Sequence, residues 1–115
     1  MDFATRQQAF LQAITQDDHM FSTTLAFVEQ WYDFTPTAFE NGPVANAATE
    51  NQGSAKVLAL GEDLGLDSLQ VLQCFGEHYR DVLATPGVEN HFNLRRLVKD
   101  GFCDVSFEQF PLKRK

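Results

Sequence analysis

The stretch Trp31–Lys56, WYDFTPTAFENGPVANAATENQGSAK, decides how this chain is read. The sequence on both sides carries amphipathic helical spacing, and this stretch does not. Thr35-Pro36 ends helical character, because proline has no N–H to donate and pushes the residue before it into extended geometry. Asp33-Phe34-Thr35 is therefore expected to be extended, with Phe34 and Phe39 as anchors on either side of the bend. Asn41-Gly42-Pro43 reads as a second turn, Gly42 being suited to positive φ. Amides and hydroxyls follow, up to Ser54, which reads as the N-cap of a helix over Ala55–Leu64 with Gly65 as its stop. The stretch is thus an aromatic joint set into the core, followed directly by the best polar site candidate.

Upstream, residues 2–16 place Phe3, Phe10, Leu11 and Ile14 on one helical stripe. Asp17 or Asp18 reads as the cap of a second helix carrying Phe21, Leu25, Val28 and Tyr32, and the two helices should form a hairpin. Downstream of Ala55–Leu64, Asp67 or Ser68 caps a helix presenting Leu69, Leu72, Phe75, Tyr79, Val82 and Leu83. This is the most regular stripe in the chain, and it is expected to be the central helix, ending at Thr85-Pro86-Gly87. Asn90 or His91 begins a last helix with Leu94, Leu97 and Val98 inward. The tail alternates at Val105 and Phe107, a strand signal whose expected partner is the extended piece around Phe34. The fold class expected is mainly α, about five helices with a small two-stranded β patch, α+β being the alternative label.

The 115 residues suffice for one domain, taken as 1–115, with 43% hydrophobic and 22% charged residues arguing against wholesale disorder. A net charge of −7 repels a phosphate backbone, so nucleic acid is not an expected partner. No apolar run approaches the ~20 residues of a membrane span, and none is expected to enter a membrane. Cys74 and Cys103 form no Cys-x-x-Cys motif and fit free thiols in a reducing compartment. His19, His78 and His91 lie on three different segments without i, i+4 pairing, so neither a metal site nor a cofactor is expected. Gly53-Ser54-x-Lys56 lacks the glycine spacing and the Gly-Lys-Ser/Thr order of a phosphate-binding P-loop.

With the segments laid out, the chain resembles the HopJ family, named for a bacterial type III effector. The residues carrying the resemblance are Tyr32-Asp33-Phe34-Thr35-Pro36-Thr37-Ala38-Phe39 with Asn41-Gly42, then Glu50-Asn51-x-Gly53-Ser54-x-Lys56. Cys74-Phe75-Gly76 with Tyr79-Arg80-Asp81-Val82-Leu83, His91-x-Asn93-Leu94-Arg95, and Gly101-Phe102 complete it, in order across nearly the whole chain. The resemblance implies an effector name without a defined molecular activity. Because Asp2 and Phe3 already open an amphipathic helix, with no polar leader before it, the expected location is the bacterial cytoplasm. Delivery into a host cell is the alternative.

The candidate ligand-binding residues are Asn46, Glu50, Asn51, Ser54, Lys56, Arg80, His91, Asn93 and Arg95. The helix start at Ser54 offers unpaired N–H groups and positive dipole potential, which suit an anion. Lys56, Arg80 and Arg95 would add full charges there, arginine gripping a carboxylate or phosphate through two parallel hydrogen bonds. The local alternative is that Ser54 only caps its helix, while Glu50 and Asp81 pair with nearby cations. His91 with Glu50 would form an acid–base pair if they meet, histidine being the side chain that titrates near neutrality. The function expected is a binding module for a small anionic ligand or a protein partner, with a host-directed effector or a small His91/Glu50 enzyme as alternatives.

Overall fold

The computed structural model describes residues 2–115. Helix α1 (Phe3–Ala13) is opened by Asp2, whose carboxylate accepts from the Thr5 N–H at 2.8 Å. Helix α2 (Phe21–Trp31) starts later than Asp17 or Asp18 would place it, with Met20 as its N-cap. Methionine offers no capping oxygen, and the Phe21 N–H donates instead to Glu77 Oε1 at 2.6 Å. This cap comes from a segment 56 residues away, so no local signal announces it. The hairpin of α1 and α2 is fastened by Phe10 stacked on Phe27, ring centroids 4.3 Å apart.

Two small antiparallel sheets follow from the proline and turn positions. Strand β1 (Tyr32–Phe34) leads to β2 (Phe39–Asn41) and β3 (Val44–Asn46), a hairpin turned by Gly42-Pro43. Near the other end lie β4 (Val105–Phe107) and β5 (Leu112–Arg114). The tail strand does not pair with Phe34 as expected. Strand β4 joins β2, with Phe39 opposite Phe107, while β1 pairs with β5. The result is one sheet ordered β3-β2-β4 and a second made of β1 and β5.

Between them run α3 (Gln52–Leu64), α4 (Ser68–Cys74), α5 (Glu77–Ala84) and α6 (Phe92–Asp100). The described residues therefore hold six helices, and α+β is the fitting class. The single central helix expected over Leu69–Leu83 is divided at Phe75-Gly76. Gly76 has φ +57 and ψ −124, and a Cβ on it would lie 2.6 Å from the Phe21 nitrogen. The break leaves Leu69 and Leu83 more than half exposed. Centrality belongs to α3, where Ala55, Val57, Leu58, Ala59 and Leu60 are all at 0% exposure. Val98, expected inward, is also exposed, whereas Leu94 and Leu97 are buried. No helix among the described residues is long and apolar enough to cross a membrane.

Candidate functional site

Four asparagines join the β2–β3 hairpin to the beginnings of α3 and α6. Asn46 Oδ1 accepts from Asn51 Nδ2 at 2.8 Å and from Asn93 Nδ2 at 2.9 Å. In return Asn46 Nδ2 donates to Asn93 Oδ1 and to the Val44 carbonyl, both at 3.2 Å. Asn41 Nδ2 donates to the Asn93 carbonyl at 3.0 Å. Asn41, Asn46 and Asn93 are buried, so each of these bonds satisfies a group that water does not reach. The side chains of α6 that face inward are Asn93, Leu94, Arg96 and Leu97, one face at helical spacing.

This arrangement leaves two helix starts uncapped. Asn51 (φ 51) and His91 (φ 49) are the N-caps of α3 and α6, both left-handed, and neither makes a side-chain capping bond. Asn51 is held by Asn46 instead. The first helical backbone bonds run from Ala55 to the Asn51 carbonyl and from Arg95 to the His91 carbonyl. The N–H groups of the three residues between each pair thus precede the helical ladder. Ser54, expected as the cap, is the third residue of α3.

Both starts line one cleft of about 220 Å³. Its polar wall is Asn51, Gly53, Ser54, His78, His91 and Asn93, and its apolar wall is Phe21, Phe75, Phe92 and Leu94. The two imidazole rings lie 5.1 Å apart, and His78 meets Phe21 edge-on at 5.0 Å. His91 Nε2 is 3.6 Å from Asp81 Oδ2. The first turns of α3 and α6 thus both border this concavity, and a helix start carries free N–H donors and positive dipole potential.

The structure brings together five of the residues singled out from sequence: Asn51, Ser54, His91 and Asn93 in the cleft wall, and Asn46 tied directly to Asn51 and Asn93. The other four lie elsewhere. Lys56 sits over the Phe34 ring, 4.8 Å from its centroid. Arg80 reaches Met20 Sδ, and Arg95 donates to Thr85 and Asn90. Glu50 is exposed and accepts from the Ala47 N–H at 3.0 Å, while the carboxylate beside His91 is that of Asp81. The expected pairing of His91 with Glu50 is not formed, because a short loop draws Glu50 back onto its own backbone.

Sequence reasoning missed His78 and Phe21 as wall residues, since Phe21 fell within a stripe assigned to packing and His78 was weighed only as a metal ligand. It also chose Arg95 over Arg96. Arg96 is the buried one, donating to Asn41 Oδ1 at 3.2 Å and to the carbonyls of Gly101 and Cys103. Its position three residues after Asn93 puts it on the same face of α6, which was the available signal. Cys74 is buried, and burial pushes its thiol up to about 12.

A family model described as HopJ type III effector protein matches residues 7–112. The chain belongs to the HopJ family. Every wall residue of the cleft falls inside the matched HopJ segment. A solved structure, the crystal structure of the unknown-function protein VPA0580, is 41% identical, covering 100% of this chain and 95% of that one, with a TM-score of 0.88. No curated protein matches the chain. The cleft is one of the concavities around which this fold gathers polar groups, another being lined by Glu40, Arg96, Asp100 and Asp104.

Proposed function

We propose that this HopJ domain is a binding module that takes a small anionic ligand in the cleft between the first turns of α3 and α6. The observation that carries the reading is the convergence of two uncapped helix starts on one concavity that also holds His78 and His91. A volume of about 220 Å³ corresponds to about seven waters, below the range usual for drug-sized ligands. That size favours a compact anion such as phosphate or a short carboxylate over a nucleotide. Asn46, Asn51 and Asn93 hold the two helix starts, and Ser54 and His91 are the side chains placed to reach the ligand. Glu50, Lys56, Arg80 and Arg95, which sequence reasoning grouped with them, stand outside the wall.

Titration calorimetry with inorganic phosphate, sulfate and acetate tests this directly. At least one should bind saturably. Ser54→Asp places a carboxylate in the first turn of α3, where it satisfies the same donors from within the chain. It should lower anion affinity at least ~tenfold, equivalent to about 1.4 kcal/mol, while leaving stability unchanged or raised. Absence of saturable heat with all three anions, or an unchanged affinity in S54D, defeats the proposal. The family match favours a second reading, delivery into a host cell as a type III effector, over the cytoplasmic location expected from sequence. Export of the chain from a strain with an intact type III apparatus, and its loss when that apparatus is inactivated, decides between them.

A further inference from the structure

A second depression, about 270 Å³, lies between α5 and α6 and shares no residue with the cleft. It is lined by Val82, Leu83, Pro86, Arg95, Val98 and Lys99. Val82 is buried, but Leu83 and Val98 are 55% and 42% exposed. Scattered exposed aliphatics are ordinary on a protein surface. Here they join across two helices and a proline into one apolar groove, and the two charged residues of its lining are both cations. Arg95 and Lys99 have no carboxylate within ion-pair distance among the described residues. The nearby acids are turned elsewhere, Asp81 to His91 and Asp100 to Arg96, each at 3.6 Å.

On a chain of net charge −7, a groove whose lining holds two cations and no acid is a local reversal. Arg95 is also held in place, donating to the Asn90 carbonyl at 2.7 Å and the Thr85 carbonyl at 2.8 Å. Those partners are neutral, so its charge is fixed in position without being cancelled, and little side-chain freedom is lost when an acid meets it. We propose that the α5–α6 groove is a docking surface for an acidic segment of a partner protein that inserts an apolar side chain between Leu83 and Val98. Carboxylates flanking that side chain would meet Arg95 and Lys99. A membrane surface fits less well, since two cations do not offset the repulsion of an anionic bilayer by the whole chain. A symmetric pairing of two copies would set these cations against themselves.

Fluorescence anisotropy with a fluorescein-labelled peptide of Leu and Glu at helical spacing, beside its Leu/Lys counterpart, tests the proposal. The Leu/Glu peptide should bind saturably and more weakly as salt rises, and the Leu/Lys peptide should not bind. Leu83→Ser and Lys99→Glu change exposed positions and should keep the helical circular dichroism of the parent. Each should lower Leu/Glu peptide affinity about tenfold or more, as losing an anchoring contact does. S54D should leave it unchanged, which separates this surface from the anion cleft. The proposal is overturned by equal binding of both peptides, by no saturable binding, or by full affinity in L83S. Self-association in sedimentation that L83S abolishes would also overturn it, in favour of a second copy as the occupant.

Discussion

Asn46 shows how much one buried carboxamide can organise. Its oxygen holds the side chains at the starts of two helices, and its nitrogen returns to Asn93 and to its own strand. Asn46→Ala leaves the buried Asn93 Nδ2 donor without its partner and removes one of the two donors to Asn93 Oδ1, at about 1–3 kcal/mol for each group left unpaired. We expect a loss of roughly 2–4 kcal/mol by urea unfolding, together with weaker anion binding in the cleft. His19 makes a pH-dependent contribution of the opposite chemical kind. Thr24 Oγ1 gives its one proton to the Cys74 carbonyl at 2.7 Å, so it accepts from His19 Nε2–H at 2.8 Å. Burial first, then the Arg80 charge, holds the His19 imidazole below its ordinary 6.5, against the pull of Glu77 and Asp18. The folded state therefore binds less proton than the unfolded state just below pH 6.5, and stability falls as pH drops through that region. The slope can reach at most about 1.4 kcal/mol per pH unit for one proton. His19→Gln, which can still donate to Thr24 without titrating, should flatten urea midpoints between pH 7 and 5. At this scale the sequence singled out Asn46, Asn51 and Asn93 as candidate ligand residues and read Asn41 only as part of a turn. Their role as fasteners between segments was hidden, because it depends on burial that no local pattern reports.

Helix boundaries were legible where the signal is local. Asp67 caps α4 through a reciprocal bond pair with Gln70, and Gly65 ends α3 at φ +66, both as residue type and spacing suggest. The boundary at Gly76 was not legible, since an isolated glycine within a continuing apolar stripe costs a helix only about 1 kcal/mol. What breaks the helix there is tertiary. The backbone of His19 to Phe21 lies against Gly76, and Glu77 reaches back to cap α2 at Phe21. Burial works against charge on Glu77, but the Phe21 and Glu77 backbone N–H groups, followed by the His78 and Arg80 charges, outweigh it and hold the carboxyl below its ordinary value. Gly76→Ala combines positive φ with a Cβ 2.6 Å from the Phe21 nitrogen and 2.8 Å from the His19 carbonyl oxygen. We expect a loss of roughly 2–5 kcal/mol, the sum of backbone strain and overpacking. Gly87→Ala is the matching control, as nothing lies within 4 Å of its added methyl. Its midpoint should move by no more than ~0.5 kcal/mol, or rise slightly through reduced freedom of the unfolded chain. A similar loss in both variants would mean that Gly76 is a flexible link and not a required break.

The extended segments around Phe34 and Val105 were readable from proline and from alternation, but their partners were not. A three-residue strand carries almost no register information, so which strands pair is set by the assembled core. The molecule resolves this by returning its last strand to β1, Tyr32 opposite Arg114 and Phe34 opposite Leu112, across about 80 residues of chain. Two kinds of contact hold that closure, and they differ in strength. Leu112 is 7% exposed in the common core, and the Pro111 carbonyl accepts from the Thr35 N–H at 2.9 Å. Arg114 instead forms an ion pair with Asp63 at 3.0 Å, with its own side chain half exposed. Asp63 also accepts from the Tyr32 hydroxyl at 2.5 Å, and burial first, then that bond and the charge, raise the phenol well above its ordinary value. Apolar burial should dominate: Leu112→Ala is expected to cost about 2–4 kcal/mol, as truncation of a buried leucine does. Arg114→Gln should cost under ~1 kcal/mol, because an exposed pair is screened by solvent. Urea unfolding of both variants measures the contrast, and hydrogen exchange at Asp33 and Thr35 should quicken in L112A with little change in R114Q. If R114Q proves the more damaging, the return of the last strand rests on the Asp63 charge pair and not on the core beneath it.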